Sequence, residues 1–323
     1  MRPQLILWEP VHYHNLSELE LCNLEIEPTC TATFWELCAQ LASLKIEKLE
    51  WITQCPNLSF LEWRSNGSHL ASSFARSFIH GTSTWDNLRE LTLAMFEFTD
   101  GQLARIIGVM RELRTFNIYT CEVGSLSLKA LRLHSQSLRS LDTMTCDVIT
   151  PSFIPGVLAS FPHLESLAFD SVMSQDIIDG PPWACESSLK KLRAGFQFTS
   201  DQEKQYLVYH QRQVLQKVSR LTNLKELRLF HGDDDDARNL DLRLENGLDH
   251  LATLKHLERF SLYTHIYRLS VLDVEWMIDN WKNLKKFEGY LNKVNKEEQT
   301  AMLQAAGIDC IISVYDNDDD DDD

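Results

Sequence analysis

At 323 residues, 44% of them apolar and 24% charged, the chain has the composition of a soluble folded protein, long enough for one large domain or two ordinary ones. No apolar run approaches the roughly 18 residues that a membrane-spanning helix needs. The patch Leu5 to Trp8 is too short for the core of a secretion signal, so the eight cysteines, with no CxxC among them, read as reduced thiols of a cytoplasmic or nuclear protein. The formal charge is −16; Asp316 and Asp318 to Asp323 carry −7 of it and Asp233 to Asp236 another −4, leaving −5 for the rest. Such a balance repels nucleic acid and anionic membranes, and neither is expected as a partner.

In chain order, Leu5 and Leu7 suggest a first strand, and a ladder of Leu-x-x-Leu-x-Leu matches follows. Its rungs are Leu16-Leu19-Leu21, Leu41-Leu44-Ile46, Leu58-Leu61-Trp63, Leu88-Leu91-Leu93, Leu113-Phe116-Ile118 and Leu138-Leu141-Thr143. They continue as Leu164-Leu167-Phe169, Leu189-Leu192-Ala194, Leu224-Leu227-Leu229, Leu257-Phe260-Leu262 and Leu284-Phe287-Gly289. From Leu88 to Leu189 the steps are 25, 25, 26 and 25 residues, too constant for an ordinary doubly wound sheet. The segments between rungs read as helices. TDGQLARIIGVMREL places Leu103, Ile106, Ile107 and Met110 on one face, with Asp100 as the expected N-cap. QEKQYLVYHQRQVLQKVSRL does the same with Leu207, Val214, Leu215, Val218 and Leu221, and DVEWMIDNWKNL with Val274, Met277 and Trp281. NKEEQTAMLQAAG predicts a last helix capped by Asn295 and Glu298 and stopped at Gly307, before a closing strand in IDCIISV. Cys121 and Cys146 fall at the ninth repeat position, where a structural turn role is expected. The Asp run after position 315 reads as a disordered, self-repelling tail.

Each rung is too short to bury its apolar side chains alone, so stability requires stacking into a parallel sheet with return helices. The expected fold is an α/β leucine-rich-repeat horseshoe: a right-handed, ribonuclease-inhibitor-like solenoid over residues 1–315, with the sheet concave and the helices convex. Side chains alternate across a strand, so the fifth and seventh positions point away from the leucines. These rows hold Glu20, Glu62, Thr92, Asn117, Asp142, Ala168, Arg193, Arg228, Ser261 and Glu288, then Cys22, Arg64, Ala94, Tyr119, Met144, Asp170, Gly195, Phe230, Tyr263 and Tyr290. Tyr, Phe, Met and Arg are enriched at protein interfaces. The candidate protein-binding residues are Arg64, Asn117, Tyr119, Asp142, Met144, Arg193, Arg228, Phe230, Tyr263 and Tyr290. Packing of the aromatics against one another is the alternative reading. Leu141 is expected in the core and Asp142 at the surface, where its loss would cost under about 0.5 kcal/mol.

The rungs, together with VLQKVSRLTNLKELRLF, LDLRLENGLDHLATLKHLERFSLY and LDVEWMIDNWKNLKKFEGYLN, resemble the repeats of fungal F-box/leucine-rich-repeat proteins, substrate receptors of SCF ubiquitin ligases. The resemblance implies a non-catalytic scaffold that holds a protein substrate on the concave face for ubiquitin-dependent degradation. The family's F-box, which docks on the SCF adaptor, is not evident before the first rung, so an adaptor is expected as partner only with an F-box upstream. A free-standing repeat scaffold or inhibitor is the alternative. A monomer is expected.

No GxxxxGK[ST], GxSxG or HExxH motif occurs, so no catalytic residue, cofactor or metal is expected. His12 and His14 share a strand spacing without a third ligand, and the eleven histidines read as surface residues. GDDDDARNLD lacks the interleaved ligands of a calcium loop and reads as a solvated insertion. The Asn-X-Ser triplets at Asn15, Asn57 and Asn66 imply no glycan in a reducing compartment.

Overall fold

The computed structural model describes residues 57–64, 85–146, 148–198, 204–230, 240–263, 269–292 and 294–312, and the backbone of 18–21 and 43–46. The strand expected at Leu5 and Leu7, together with His12, His14, Cys22, the Asp233 to Asp236 run and the acidic tail, lies outside the described residues. The chain forms two compact units, residues 1–163 and 164–323.

In the first unit the rungs become strands β1 (Glu18–Leu21), β2 (Ser43–Ile46), β3 (Phe60–Arg64), β4 (Glu90–Ala94) and β5 (Thr115–Ile118), followed by β7 (Ser140–Thr143). Between β4 and β5 runs helix α1 (Asp100–Gly108). The short strand β6 (Glu122–Val123) and helix α2 (Ser125–Leu131) separate β5 from β7, and β8 (Val148–Ile149) and α3 (Phe153–Ser160) come after it. All pairings are parallel and follow chain order, with β6 and β8 forming a small sheet of their own. The register aligns the fourth repeat position throughout: Leu19, Leu44, Leu61, Leu91, Phe116 and Leu141 are successive partners. From β3 onward these residues and the sixth-position Trp63, Leu93, Ile118 and Thr143 are fully buried. Leu103, Ile106 and Ile107 of α1 are buried too, as the helical spacing requires.

The second unit repeats the plan with β9 (Ser166–Met173), helix α4 (Ser174–Asp179), β10 (Lys191–Gln197), α5 (Lys204–Val218), β11 (Glu226–Phe230) and β12 (Arg259–Tyr263). Then come α6 (Val271–Asn280), β13 (Lys286–Gly289), α7 (Lys296–Ala305) and β14 (Asp309–Ile312). Between β11 and β12 the described residues of the return hold 3₁₀ turns at Leu244–Asn246 and Leu248–Thr253. Leu167, Leu192, Leu227, Phe260, Phe287 and Cys310 are in register on parallel strands. Each unit is thus a solenoid-like stack of strand and return, with a parallel sheet carrying the apolar ladder.

Backbone hydrogen bonds recur at each step. The second-position carbonyl accepts the N–H groups of the second and third residues of the next rung: Arg89 O from Arg114 and Thr115, Glu165 O from Lys190 and Lys191, Lys225 O from Glu258 and Arg259. The turn after the strand recurs as well. Met95, Thr120 and Thr145 have φ of 63°, 60° and 57° at equivalent positions, a left-handed conformation uncommon outside glycine. The next residue is buried each time, and at Cys121 and Cys146 the thiols donate to Phe96 O at 3.1 Å and Ile118 O at 3.5 Å. The expected turn role of both cysteines holds.

Three local expectations are corrected. Thr99, not Asp100, is the N-cap of α1, in a reciprocal capping box with Gln102. Asp100 reaches instead to the next return, accepting N–H groups of Gly124, Leu126 and Ser127 at the start of α2. Asn295 sits at the N-cap of α7 without a side-chain hydrogen bond, although Gly307, with φ of 76°, ends the helix as expected. His134 and His210 are buried rather than at the surface. His134 Nδ1 accepts the Leu113 N–H at 3.3 Å and its Nε2 faces Ile107 O at 3.2 Å, which fixes the Nε2–H tautomer.

Two buried glutamines do comparable work in the second unit. Gln211 donates to Asp241 O and Asn246 O and accepts the Asp241 N–H; Gln299 donates to Leu269 O and accepts the Asn292 N–H. Each satisfies backbone groups that lie outside the β-strands and α-helices.

Candidate functional site

The candidate residues lie on the strand face opposite the buried leucines, and each unit carries its own set. In the first unit Glu62, Thr92, Asn117 and Asp142 are half-buried in one row and Arg64 is exposed in the next. Arg64 Nε donates to Glu62 Oε1 at 2.9 Å, and Asn117 Nδ2 to Thr92 Oγ1 at 3.1 Å across β4 and β5. Tyr119 OH donates to Asp142 Oδ2 at 3.3 Å, and Asp142 Oδ1 accepts the Met144 N–H at 2.9 Å. The carboxylate therefore ties Tyr119 to Met144. Asp142, expected to be a replaceable surface residue, is instead a hydrogen-bonding centre.

In the second unit Arg193, Arg228, Ser261 and Glu288 are consecutive Cα partners on four strands; beside them run Gly195, Phe230 and Tyr263, with Tyr290 one strand further on at the same repeat position. The structure thus brings Arg193, Arg228, Phe230, Tyr263 and Tyr290 onto one face. Phe230 and Tyr290 are half-buried, and Tyr263 is 37% exposed. Glu288 receives Ser261 Oγ at 3.1 Å and Tyr263 OH at 2.6 Å, and it pairs with Lys286. Lys286 first, then Tyr263 and Ser261, hold the Glu288 carboxyl down at about 2. Burial, followed by the hydrogen bond to Glu288, raises the Tyr263 phenol.

The sequence reading missed the third repeat position, which shares this face because alternation also runs toward the strand start. Glu226 stands there, pairing with Arg228 Nε at 2.6 Å and Arg259 Nη2 at 3.7 Å. One more step of the period-two count would have found Glu226, Arg259 and Lys286.

Gly195 occupies the seventh position where β9 bulges: Ala194 pairs with Phe169 but Phe196 with Val172, so Asp170 and Ser171 oppose one residue. A Cβ at Gly195 would lie 1.9 Å from Asp170 O and 3.3 Å from Phe230 Cε2. Glycine is required there by close backbone approach, and Phe230 packs against the gap it leaves.

No protein-family model matches the chain, and no curated protein matches it. A structural-genomics protein from Bacteroides fragilis is similar in structure, with a TM-score of 0.40 and 16% identity. The match covers 80% of this chain and 66% of that one, just under two thirds of its length.

Among the described residues no group of three or more His, Cys, Asp or Glu side chains is placed to hold a metal ion, and no helix is long and apolar enough to cross a membrane.

Proposed function

We propose that this chain is a non-catalytic protein-binding solenoid of the leucine-rich-repeat class, acting in the cytoplasm or nucleus like the substrate-recognition part of an SCF ubiquitin-ligase receptor. One observation carries the binding part of this reading: Arg228, Phe230, Tyr263 and Tyr290 share a strand face whose reverse holds the buried ladder. Such a face is rigid, because every strand beneath it is fixed in register by its neighbours. Aromatic side chains lose little entropy on binding, and arginine brings a planar fork of donors; Tyr and Arg are among the residues enriched at interface hot spots. The ligase part is carried by the sequence resemblance.

The test compares affinity capture from cells expressing the chain with capture by a variant carrying Arg228→Ala, Phe230→Ala and Tyr263→Ala. The expected result is a partner retained by the first and lost by the second, with equal melting temperatures. A partner held equally by both would overturn the face assignment. Depletion of the chain should also lower ubiquitination of the captured partner; unchanged ubiquitination would remove the ligase role and leave a free-standing scaffold.

A further inference from the structure

Several of the arginine, lysine and hydroxyl groups on the candidate faces are met by carboxylates of the chain itself. Glu62 takes Arg64, Asp142 takes Tyr119, Glu226 takes Arg228 and Arg259, and Glu288 takes Ser261, Tyr263 and Lys286. Arg193 breaks the pattern. Its cross-strand partners in the fifth row are Ala168 on β9 and a second arginine, Arg228, on β11, and neither side chain is an acceptor. Among the described residues its Nε is buried without a hydrogen-bond partner.

An orphaned guanidinium N–H is destabilising when buried, and like charges opposed across strands add to the penalty. The third, fifth and seventh repeat positions of β9 to β13 carry Lys191, Arg193, Arg228, Arg259 and Lys286 against Asp170, Glu226 and Glu288, five cations to three carboxylates. This excess stands in a chain whose formal charge is −16. We propose that Arg193 and Arg228 together bind an Asp or Glu side chain of the partner polypeptide, with Phe230 and Tyr263 seating apolar residues beside it. The proposal rests on the protein-binding reading above and adds the chemistry of the bound segment. Arg193 and Arg228 are Cα partners on adjacent strands, which run about 4.8 Å apart, so both side chains can reach one carboxylate.

The probe is a phage-displayed library of random 12-residue peptides selected on the full chain, the selected peptides then being titrated by fluorescence anisotropy. The expected result is a shared Asp or Glu in the selected peptides. Changing that residue to Asn should weaken binding about tenfold, Arg193→Gln should do the same, and the two losses should not add, as for a desolvated charge pair. Arg193→Lys, which keeps the charge, should fall between. Peptides that need Phe230 and Tyr263 but are indifferent to Arg193→Gln would overturn this proposal and leave the binding face intact. So would tighter binding when phosphoserine replaces the acidic residue, or displacement of every peptide by the chain's own residues 316–323. Recovery of no peptide, or of peptides indifferent to Phe230→Ala with Tyr263→Ala, would overturn both readings.

Discussion

Asp100 Oδ1 accepts the backbone N–H of Ser127 at 2.8 Å, so a carboxylate in the first turn of α1 closes the start of α2 one repeat later. Oδ1 also takes the Gly124 N–H and Oδ2 the Leu126 N–H, both at 3.0 Å. Asp100→Ala should therefore destabilise the protein by about 1–2 kcal/mol, the range of a strong cap, and Asp100→Asn by less, since one oxygen remains. Burial raises this carboxyl, but hydrogen bonds from Ser127, Leu126 and Gly124 outweigh it and the pKa lies below its usual 3.8. The contribution is thus present above the unfolded pKa and lost as pH falls through the lowered one. Urea melts of wild type and Asp100→Ala should converge at the acid end.

His134 predicts a second pH dependence, in a separate window. Burial holds its imidazole below the ordinary 6.5, against a smaller upward pull from Ile107 O. The unfolded chain then takes up a proton at a pH where the folded one does not, so stability should decline as pH falls below 6.5 and level off beneath the folded pKa. His134→Gln should flatten this part of the curve, while losing stability at neutral pH if its amide fails to bridge Leu113 N and Ile107 O.

Leu141 and Asp142 are adjacent and should answer substitution by different mechanisms. Leu141 is 0% exposed, and Leu141→Asp should cost more than about 3 kcal/mol by burying an unpaired charge. Asp142→Ala should cost about 1 kcal/mol, because Tyr119 OH and the Met144 N–H lose their acceptor. Equal losses in chemical denaturation would mean that the strand register is wrong.

At Gly195 the prediction is steric. Gly195→Ala places a methyl group against Asp170 O and should cost about 2 kcal/mol or more. The damage should reach Phe230, whose ring borders the same space, so peptide binding should weaken along with the melting temperature. Gly108→Ala, where a Cβ meets nothing within 4 Å, is the matched control and should be neutral or mildly stabilising.

The ladder was legible in the sequence because two periods coincide in it. Alternation within a rung picks out Leu91 and Leu93, and a step of 25 or 26 residues brings Phe116 and Leu141 to the same place on the next strands. What escaped notice are contacts that exist only once the rungs are stacked. TDGQ offers both Thr99 and Asp100 as caps, and the chain uses the first for its own helix and the second for its neighbour's. His134, Gln211 and Gln299 look like surface residues in a linear reading, yet each serves backbone groups 7 to 35 positions away. The binding face was legible as a row of residue types. The sharing of Glu226 with Arg259 on the next strand and, among the described residues, the lack of a hydrogen-bond partner at Arg193 Nε depend on which strands are adjacent, which alternation alone does not specify.

Site-specific photo-crosslinking asks whether the strand face holds a partner. A benzophenone amino acid is placed at Tyr263 on the strand face or at Tyr209, 57% exposed on α5, and irradiated in cells that express the chain. A discrete crosslinked partner is expected from position 263 and none from 209. A partner crosslinked from 209 but not from 263 would contradict the face assignment.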